Sequence, residues 1–501
     1  MNGHTLALII ATVVYAVFML GIAYMARKRA QKTTSDYYVA NRTFGAVVIF
    51  WTLFATLFSA WTFLGMAGGS YTNGMAWWIL AIADMTLGLS GYYFGSRLWV
   101  LGNKFHYVTP SQWMDHRYQS KPLRILVAAF ALIAVIPHVS IQITGIGTLY
   151  NGISNGAISF NTGLVIFLLL LTFVTIVGVR AVAWSDVLQG IMLFAALWVA
   201  MIAIFAANDV GGLVGLFTKV KTVAPELIGF PGSWSNKTWI AWFFILAPAI
   251  IVYPQVITKF IGSKDLNVIR TSQGLMPYAI PLTAFPVIMC GLLGVVLMPD
   301  LANADYVIPE LLYNFTSPVL AAILGMGGIA AALSTVSAIM LCASAIIVKD
   351  IISLVNPDMP EDKQLRLGKF FVVIWIIVCL ILGIWNPMLI AYMGAFALRC
   401  TGLCFFIPYF GALYWPRSTK QGAAAGMVTG FVVGVLTTWV IPSPLGLDPV
   451  IWGFIAEAIV YFAVCNATTP PPADHLKIFF EDVDEVLEEE RQKRAAAYGS
   501  K

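Results

Sequence analysis

The sequence predicts an all-α membrane protein of about thirteen transmembrane helices, on three observations. Of 501 residues, 59% are apolar and only 11% charged, a composition outside the soluble range; the mean hydropathy is +0.84. Apolar stretches near the ~20 residues needed to cross a bilayer recur along the whole chain. Lys and Arg gather in alternate connecting segments, as expected when basic residues are retained on the cytoplasmic side.

The stretches follow in order. The first, 6–26, has no basic residue ahead of it and Arg27, Lys28, Arg29, Lys32 and Arg42 behind it. That is the reverse of a secretory signal peptide, so it is read as a retained span with the N-terminus outside. The second, 46–69, runs through Ser59, Trp61 and Thr62 into Gly65, Gly68 and Gly69, an interruption inside an apolar run. Spans 76–96 and 123–150 are joined by a basic segment with Arg97, Lys104, Arg117, Lys121 and Arg124; Arg180 separates 160–179 from 184–206. The loop near 207–238 holds Lys219, Lys221 and Lys237 and is placed outside. The seventh span, 239–261, carries Pro248 and Pro254 around Tyr253, a second interruption. Lys259, at its end, is assigned with Lys264 and Arg270 to a cytoplasmic segment before 278–298. Span 317–348 ends at Lys349, with Lys363, Arg366 and Lys369 before 370–387 and 389–414; Arg417 and Lys420 precede 421–441 and 448–466. An odd number of spans leaves the tail in the cytoplasm. The tail, with its acidic run Glu481–Glu490, is expected to be a short exposed helix without a catalytic role.

Several classes are disfavoured. All six cysteines, Cys290, Cys342, Cys379, Cys400, Cys404 and Cys465, lie in predicted spans, so no disulfide framework is implied. The net charge of +5 suits cytoplasmic loops against anionic lipid rather than nucleic acid. The five histidines have no metal-ligand spacing, and Gly145–Gly152 lies within a span, so it is no dinucleotide fingerprint. No phosphate loop suggests ATP drive, no repeated pore helix a channel, and no convergent acid, base or nucleophile set an enzyme.

The ninth span supplies the strongest chemical signal. Ser334, Thr335 and Ser337 set hydroxyls in an otherwise apolar helix, with Ala331 one turn before Thr335. Neutral oxygens at membrane depth can replace part of the water shell of a small hard cation, which points to sodium. The alternative is that these hydroxyls return hydrogen bonds to carbonyls three or four residues earlier, or join two helices. Interrupted helices at matching positions of two inverted halves mark a transporter's midplane site. If spans 2–6 and 7–11 are the halves, each interruption opens its half.

The order and spacing of several blocks resemble the sodium:solute symporter family along nearly the whole chain. They are NRTFG at Asn41–Gly45, ATLFSAWTFLGMAG at Ala55–Gly68, AVAWSDVLQG at Ala181–Gly190, AALSTVSA at Ala331–Ala338, KDI at Lys349–Ile351 and LYWPRSTKQGAAAGM at Leu413–Met427. The resemblance implies a thirteen-helix symporter with a LeuT-type five-plus-five inverted-repeat core over 46–415. Residues 1–45 would hold the first helix and a cytoplasmic loop, 416–466 two additional helices and 467–501 a cytoplasmic tail. It further implies a sodium site from the carbonyls of Ala55, Phe58 and Ala331 and the hydroxyls of Ser334 and Thr335. Asp186 and Ser337 match a second sodium position of some members, although Ala338 stands where a further serine would complete it. The alternative for Asp186 is a helix cap in the first turn of the next span. Leu57 replaces a polar or acidic residue of proline- and sugar-carrying relatives.

Arg399, in the middle of the eleventh span, needs a partner or water. A planar guanidinium suits a carboxylate, which suggests an organic anion as solute; the alternative is a structural pair with Asp84 or Glu457, or a gate. VIPELL at Val307–Leu312 and SAIIVKDI at Ser344–Ile351 resemble the pantothenate and monocarboxylate branch. Candidate solute-facing residues besides Arg399 are Phe58, Ser59, Thr62, Gln142, Tyr253 and Gln255, each with helix packing as the alternative. The expected function is sodium-coupled import of a monocarboxylate or pantothenate-like anion across the plasma (inner) membrane, or else of a neutral or zwitterionic solute such as proline or a sugar. Sodium is the coupling ion, with no other cofactor; the partners are solute and membrane lipid.

Overall fold

The computed structural model describes residues 2–384 and 390–499, and over these it is helical, with no strand. The expected stretches all fall on helices; residues 385–387 of the tenth and 389 of the eleventh lie outside the described residues, as does the side chain of Cys379. Among the described residues, ten helices are long and apolar enough to cross a membrane. Second, fifth and tenth spans complete the set as Ala46–Leu57 with its continuation, Phe160–Thr175 and Glu361–Ile384.

The ninth span, Pro318–Ala345, is the central strut: 89% of its most apolar window is buried, against 28% for the first and last spans. A helix apolar all round and enclosed on every side must have protein, not lipid, as its solvent. The first span, Gly3–Arg29, instead exposes Ile10, Val13, Val14, Val17 and Phe18, a face suited to hydrocarbon. Asn2 accepts from the Thr5 amide at 2.8 Å to cap that helix, and Arg27, Lys28 and Arg29 end it, where the helix dipole favours cations.

The connecting segments form two separate networks. In one, Arg180 binds Asp36, Arg42 donates to the Tyr107 carbonyl at 2.8 Å, Arg124 pairs with Asp350 at 3.0 Å and Glu361 accepts from the Thr34 amide at 2.7 Å. In the other, Tyr71 donates to the Met298 carbonyl at 2.9 Å, Trp239 to the Ala76 carbonyl at 3.0 Å and Tyr306 to Asn151 at 3.2 Å. The first joins the basic segments and the second the others, which is the alternation that hydropathy and charge required.

Two expectations are corrected. The sixth span begins at Val179, earlier than 184, so Asp186 lies beyond the first turn and does not cap it; Gly178 occupies that position with φ +108°, where a Cβ would strike the Tyr37 ring. The tail is not simply exposed. Phe479 and Val483 are buried, Arg117 lies over the Phe480 ring at 5.3 Å, and Lys104 and Arg97 pair with Asp482 and Asp484. Phe479 and Phe480, just ahead of the acidic run, and Val483 within it make a docking face.

Candidate functional site

Each interruption has a local cause. The second span stops at Leu57, and Phe58 turns to φ −88°, ψ 111° before helix resumes at Trp61. The freed amides find new acceptors: Gln142 Oε1 takes the Ala60 N–H at 2.9 Å and Ser59 Oγ takes that of Trp61 at 3.2 Å. In the seventh span Pro248 is accommodated inside Asn236–Ile251, whereas Pro254 starts a new helix, Pro254–Ile261. The residue before a proline is driven from the helical region, and Tyr253 is extended at φ −54°, ψ 126°.

The ninth span passes the first of these breaks. Ser334 Oγ donates to the Ala55 carbonyl at 2.7 Å and lies 2.8 Å from that of Ala331. Thr335 Oγ1 lies 3.3 Å from the Ala55 carbonyl, 3.2 Å from Ala331 and 3.4 Å from Thr56. Ala55, Ala331, Ser334 and Thr335 are thus brought together, fully buried. The Phe58 carbonyl is not among these acceptors; Thr56 takes its place. The hydroxyls both return to their own helix and reach across to the end of the broken one. Neutral oxygens this close can surround a monovalent cation at about 2.4 Å, the distance at which such ions meet oxygen.

The candidate solute residues fall into two groups. Ser59, Thr62 and Gln142 hold the break: Gln142 Nε2 donates to Ser59 Oγ at 3.2 Å, and Thr62 Oγ1 accepts from the Ser59 amide at 3.4 Å. Tyr253 lies 3.3 Å from His138 Nδ1 and, with Gln255, His138, Ile339 and Thr401, lines a crevice of about 10 Å³, room for a single water. A larger cavity, about 460 Å³, lies among the first, sixth and ninth spans, but Ile10, Phe18, Leu188 and Ile323 make it an apolar recess unsuited to a polar solute.

Asp186 is not joined to Ser337, whose hydroxyl donates to Ser334 O on its own helix at 3.1 Å. It accepts from Thr52 Oγ1 and lies 3.5 Å from Lys259 Nζ. Lys259, assigned above to a cytoplasmic segment, is buried instead. Sequence reasoning missed it along with Thr52, Thr56 and His138; its position five residues after Pro254, inside the apolar second piece of the seventh span, was the available signal.

Arg399 is also corrected. Its partner is neither Asp84 nor Glu457 but Asp448, whose two oxygens are both 3.0 Å from Nη2, and which also caps Val450 at 2.9 Å. Its carboxylate is supplied by the chain. Arg399→Gln should therefore change the solute KM less than about threefold while costing about 1 kcal/mol of stability, as expected for a partly exposed pair. A KM rise above tenfold for an acid but not for its neutral amide would place Arg399 at the solute.

Asp305, in the segment after the eighth span, accepts from the Ile390 amide at 3.1 Å at the start of the eleventh span. Burial raises its carboxyl from 3.8 to about 6, partly offset by that amide. A raised carboxyl favours the packed arrangement at low pH, and that contribution is lost as pH rises through about 6. Between pH 4 and 8 the loss is on the order of 2–3 kcal/mol. Asp305→Asn should flatten the pH dependence of the melting temperature and be the more stable form at pH 8; parallel profiles for the two proteins would refute this.

Two interrupted helices in matching positions, with a buried neutral-oxygen cluster beside the first, define a sodium-coupled secondary transporter of LeuT-type fold. The model of the sodium:solute symporter family matches residues 37–430, and the chain belongs to that family. It is 28% identical over 466 residues to the sodium/pantothenate symporter of Escherichia coli (strain K12), covering 91% of this chain and 95% of that protein. The high-affinity proline transporter PutP of Bacillus subtilis (strain 168) is 26% identical, covering 90% and 96%. Among solved structures, a Na+-coupled sialic acid symporter in a substrate-bound outward-open state superposes with a TM-score of 0.78 at 18% identity, covering 93% of this chain and 98% of that one. MHP1, a nucleobase-cation-symport-1 family transporter, gives 0.57 at 15% identity, covering 88% and 97%. At these identities the structural likeness concerns the fold.

Proposed function

We propose that the protein imports a small organic anion, a monocarboxylate or pantothenate-like acid, together with sodium by alternating access. The observation that carries the reading is the convergence of the Ala55 and Ala331 carbonyls with the Ser334 and Thr335 hydroxyls at the end of a broken helix. Sodium would sit there, with the Phe58 carbonyl joining when the break readjusts. The solute would sit beside it, against Ser59, Thr62, Gln142, Tyr253 and Gln255. A sodium ion at the break places positive charge next to that space, which favours a carboxylate without enlisting Arg399. Similarity to the sodium/pantothenate symporters supports the same class of solute. With basic segments inside, the N-terminus is placed outside and the tail in the cytoplasm of the plasma membrane.

A neutral or zwitterionic solute is the second reading, favoured by the pairing of Arg399 with Asp448 and by proline transporters among the relatives. Uptake of a labelled panel into proteoliposomes, with and without an inward sodium gradient, separates the two. Gradient-driven uptake of acids, with their neutral amides poor competitors, is expected. Equal competition by acid and amide would favour the second reading, and uptake indifferent to sodium would overturn both.

A further inference from the structure

We propose that the ammonium group of Lys259 is a built-in second cation, occupying the position at Asp186 that a second sodium ion would otherwise take, so that the transporter moves one sodium per solute. The proposal rests on the sodium-symport reading and sets its ion count.

The surroundings of Lys259 are those of a bound cation. Its Nζ donates to the Thr52 carbonyl, to Thr52 Oγ1 at 2.8 Å and to Thr56 Oγ1, with Asp186 Oδ2 at 3.5 Å. All four residues are buried. An ammonium has three donors, and three neutral oxygens take them. In a simple ion pair the carboxylate would be the nearest acceptor; here it is the most distant of the four, and Thr52 Oγ1 lies between the two charges. Neutral oxygens supplemented by one carboxylate are also the donor set of a hard monovalent ion.

The position is joined to the sodium cluster through one residue. Thr56 gives its hydroxyl to Lys259 and presents its carbonyl to Thr335 Oγ1. Both cation positions therefore bear on the same last turn of the second span's first piece. Beside Lys259 runs a crevice of about 30 Å³, room for one or two waters, lined by Thr52, Gln255, Ala338 and Cys342. Ala338, whose side chain brings no oxygen to this wall, is the residue at which the family resemblance expects a serine to complete a second sodium position. The chain has a methyl group where an ion would need a ligand, and an ammonium where the ion would be.

The test is the number of sodium ions bound by the purified full-length protein, measured with radioactive sodium in detergent. The wild type should bind one, and Thr335→Ala should weaken that binding by roughly 5- to 100-fold. Lys259→Ala and Lys259→Ser, which vacate the oxygen set and leave Asp186 unneutralised, should bind two. In proteoliposomes the Hill coefficient for sodium should rise from about 1 toward 2, and uptake of a monovalent anion, electroneutral with one sodium, should become sensitive to membrane potential. Lys259→Arg should remain at one. If the small variants unfold readily, sodium but not choline should raise their melting temperature well beyond its effect on the wild type, because an ion bound only by the folded form stabilises it.

Two ions bound by the wild type would overturn the proposal. So would a single ion in both small variants, or the absence of sodium-specific stabilisation when they are unstable. A wild type that binds no sodium would instead overturn the symport reading itself.

Discussion

Thr335→Ala and Ser334→Ala should each raise the sodium concentration for half-maximal uptake by roughly 5- to 100-fold. Each removes one oxygen from a buried set in which no water can substitute without repacking, and an unmade polar contact of that kind costs about 1–3 kcal/mol. Ser334 should show the larger effect, since its oxygen lies 2.7 and 2.8 Å from the Ala55 and Ala331 carbonyls while those of Thr335 are at 3.3 and 3.2 Å. Thr335→Ser keeps the hydroxyl and should stay near the wild type. Sodium titration of initial uptake rates, at matched amounts of protein, is the measurement. Unchanged sodium dependence in both alanine variants would remove the ion from this cluster.

Asp186→Asn should be strongly destabilising, by on the order of 3–5 kcal/mol. It leaves the Lys259 ammonium buried without its anion, and breaking one side of a buried pair costs more than the pair was worth. Adding Lys259→Met to Asp186→Asn should recover most of that loss, because the desolvated charge is then gone. Melting temperatures of the single and double variants in detergent decide it. A double variant no more stable than Asp186→Asn would mean that the loss came from the Thr52 contact and not from charge.

These expectations separate what can be read along the chain from what cannot. The helix break at Tyr253 was visible because its cause is local: Pro254 acts on the residue next to it. The break at Phe58 falls where the interrupted run was read to begin, at Ser59, but it does not extend to Gly65 and Gly68: the amides that need new partners lie at Ala60 and Trp61. Those glycines serve close packing instead; a Cβ on Gly68 would lie 2.7 Å from the Ala304 carbonyl. The hydroxyls of Ser334 and Thr335 were recognisable because a polar group in a fully apolar helix stands out whatever surrounds it.

The partners of charged side chains were not legible in the same way. Arg399 and Asp448 lie 49 positions apart, and only the packing of the eleventh span against the last one selects Asp448 over Asp84 or Glu457. Lys259 counted as a loop cation because a lysine near a span end normally reaches water. It does not do so here because the second piece of the seventh span carries it inward against Thr52 and Thr56.

By itself, then, the sequence determined the helical membrane architecture, the alternation of its connecting segments, the two interrupted spans and the neutral oxygens of the ninth. All of these follow from hydropathy, proline geometry and side-chain polarity acting over a few residues. Only the tertiary structure decided that Lys259 fills the space beside Asp186, that Arg399 is neutralised by Asp448 and that the tail docks through Phe479 and Val483. A buried charge takes whichever opposite group helix packing brings within a few ångströms, and that distance is set by the fold rather than by separation along the chain.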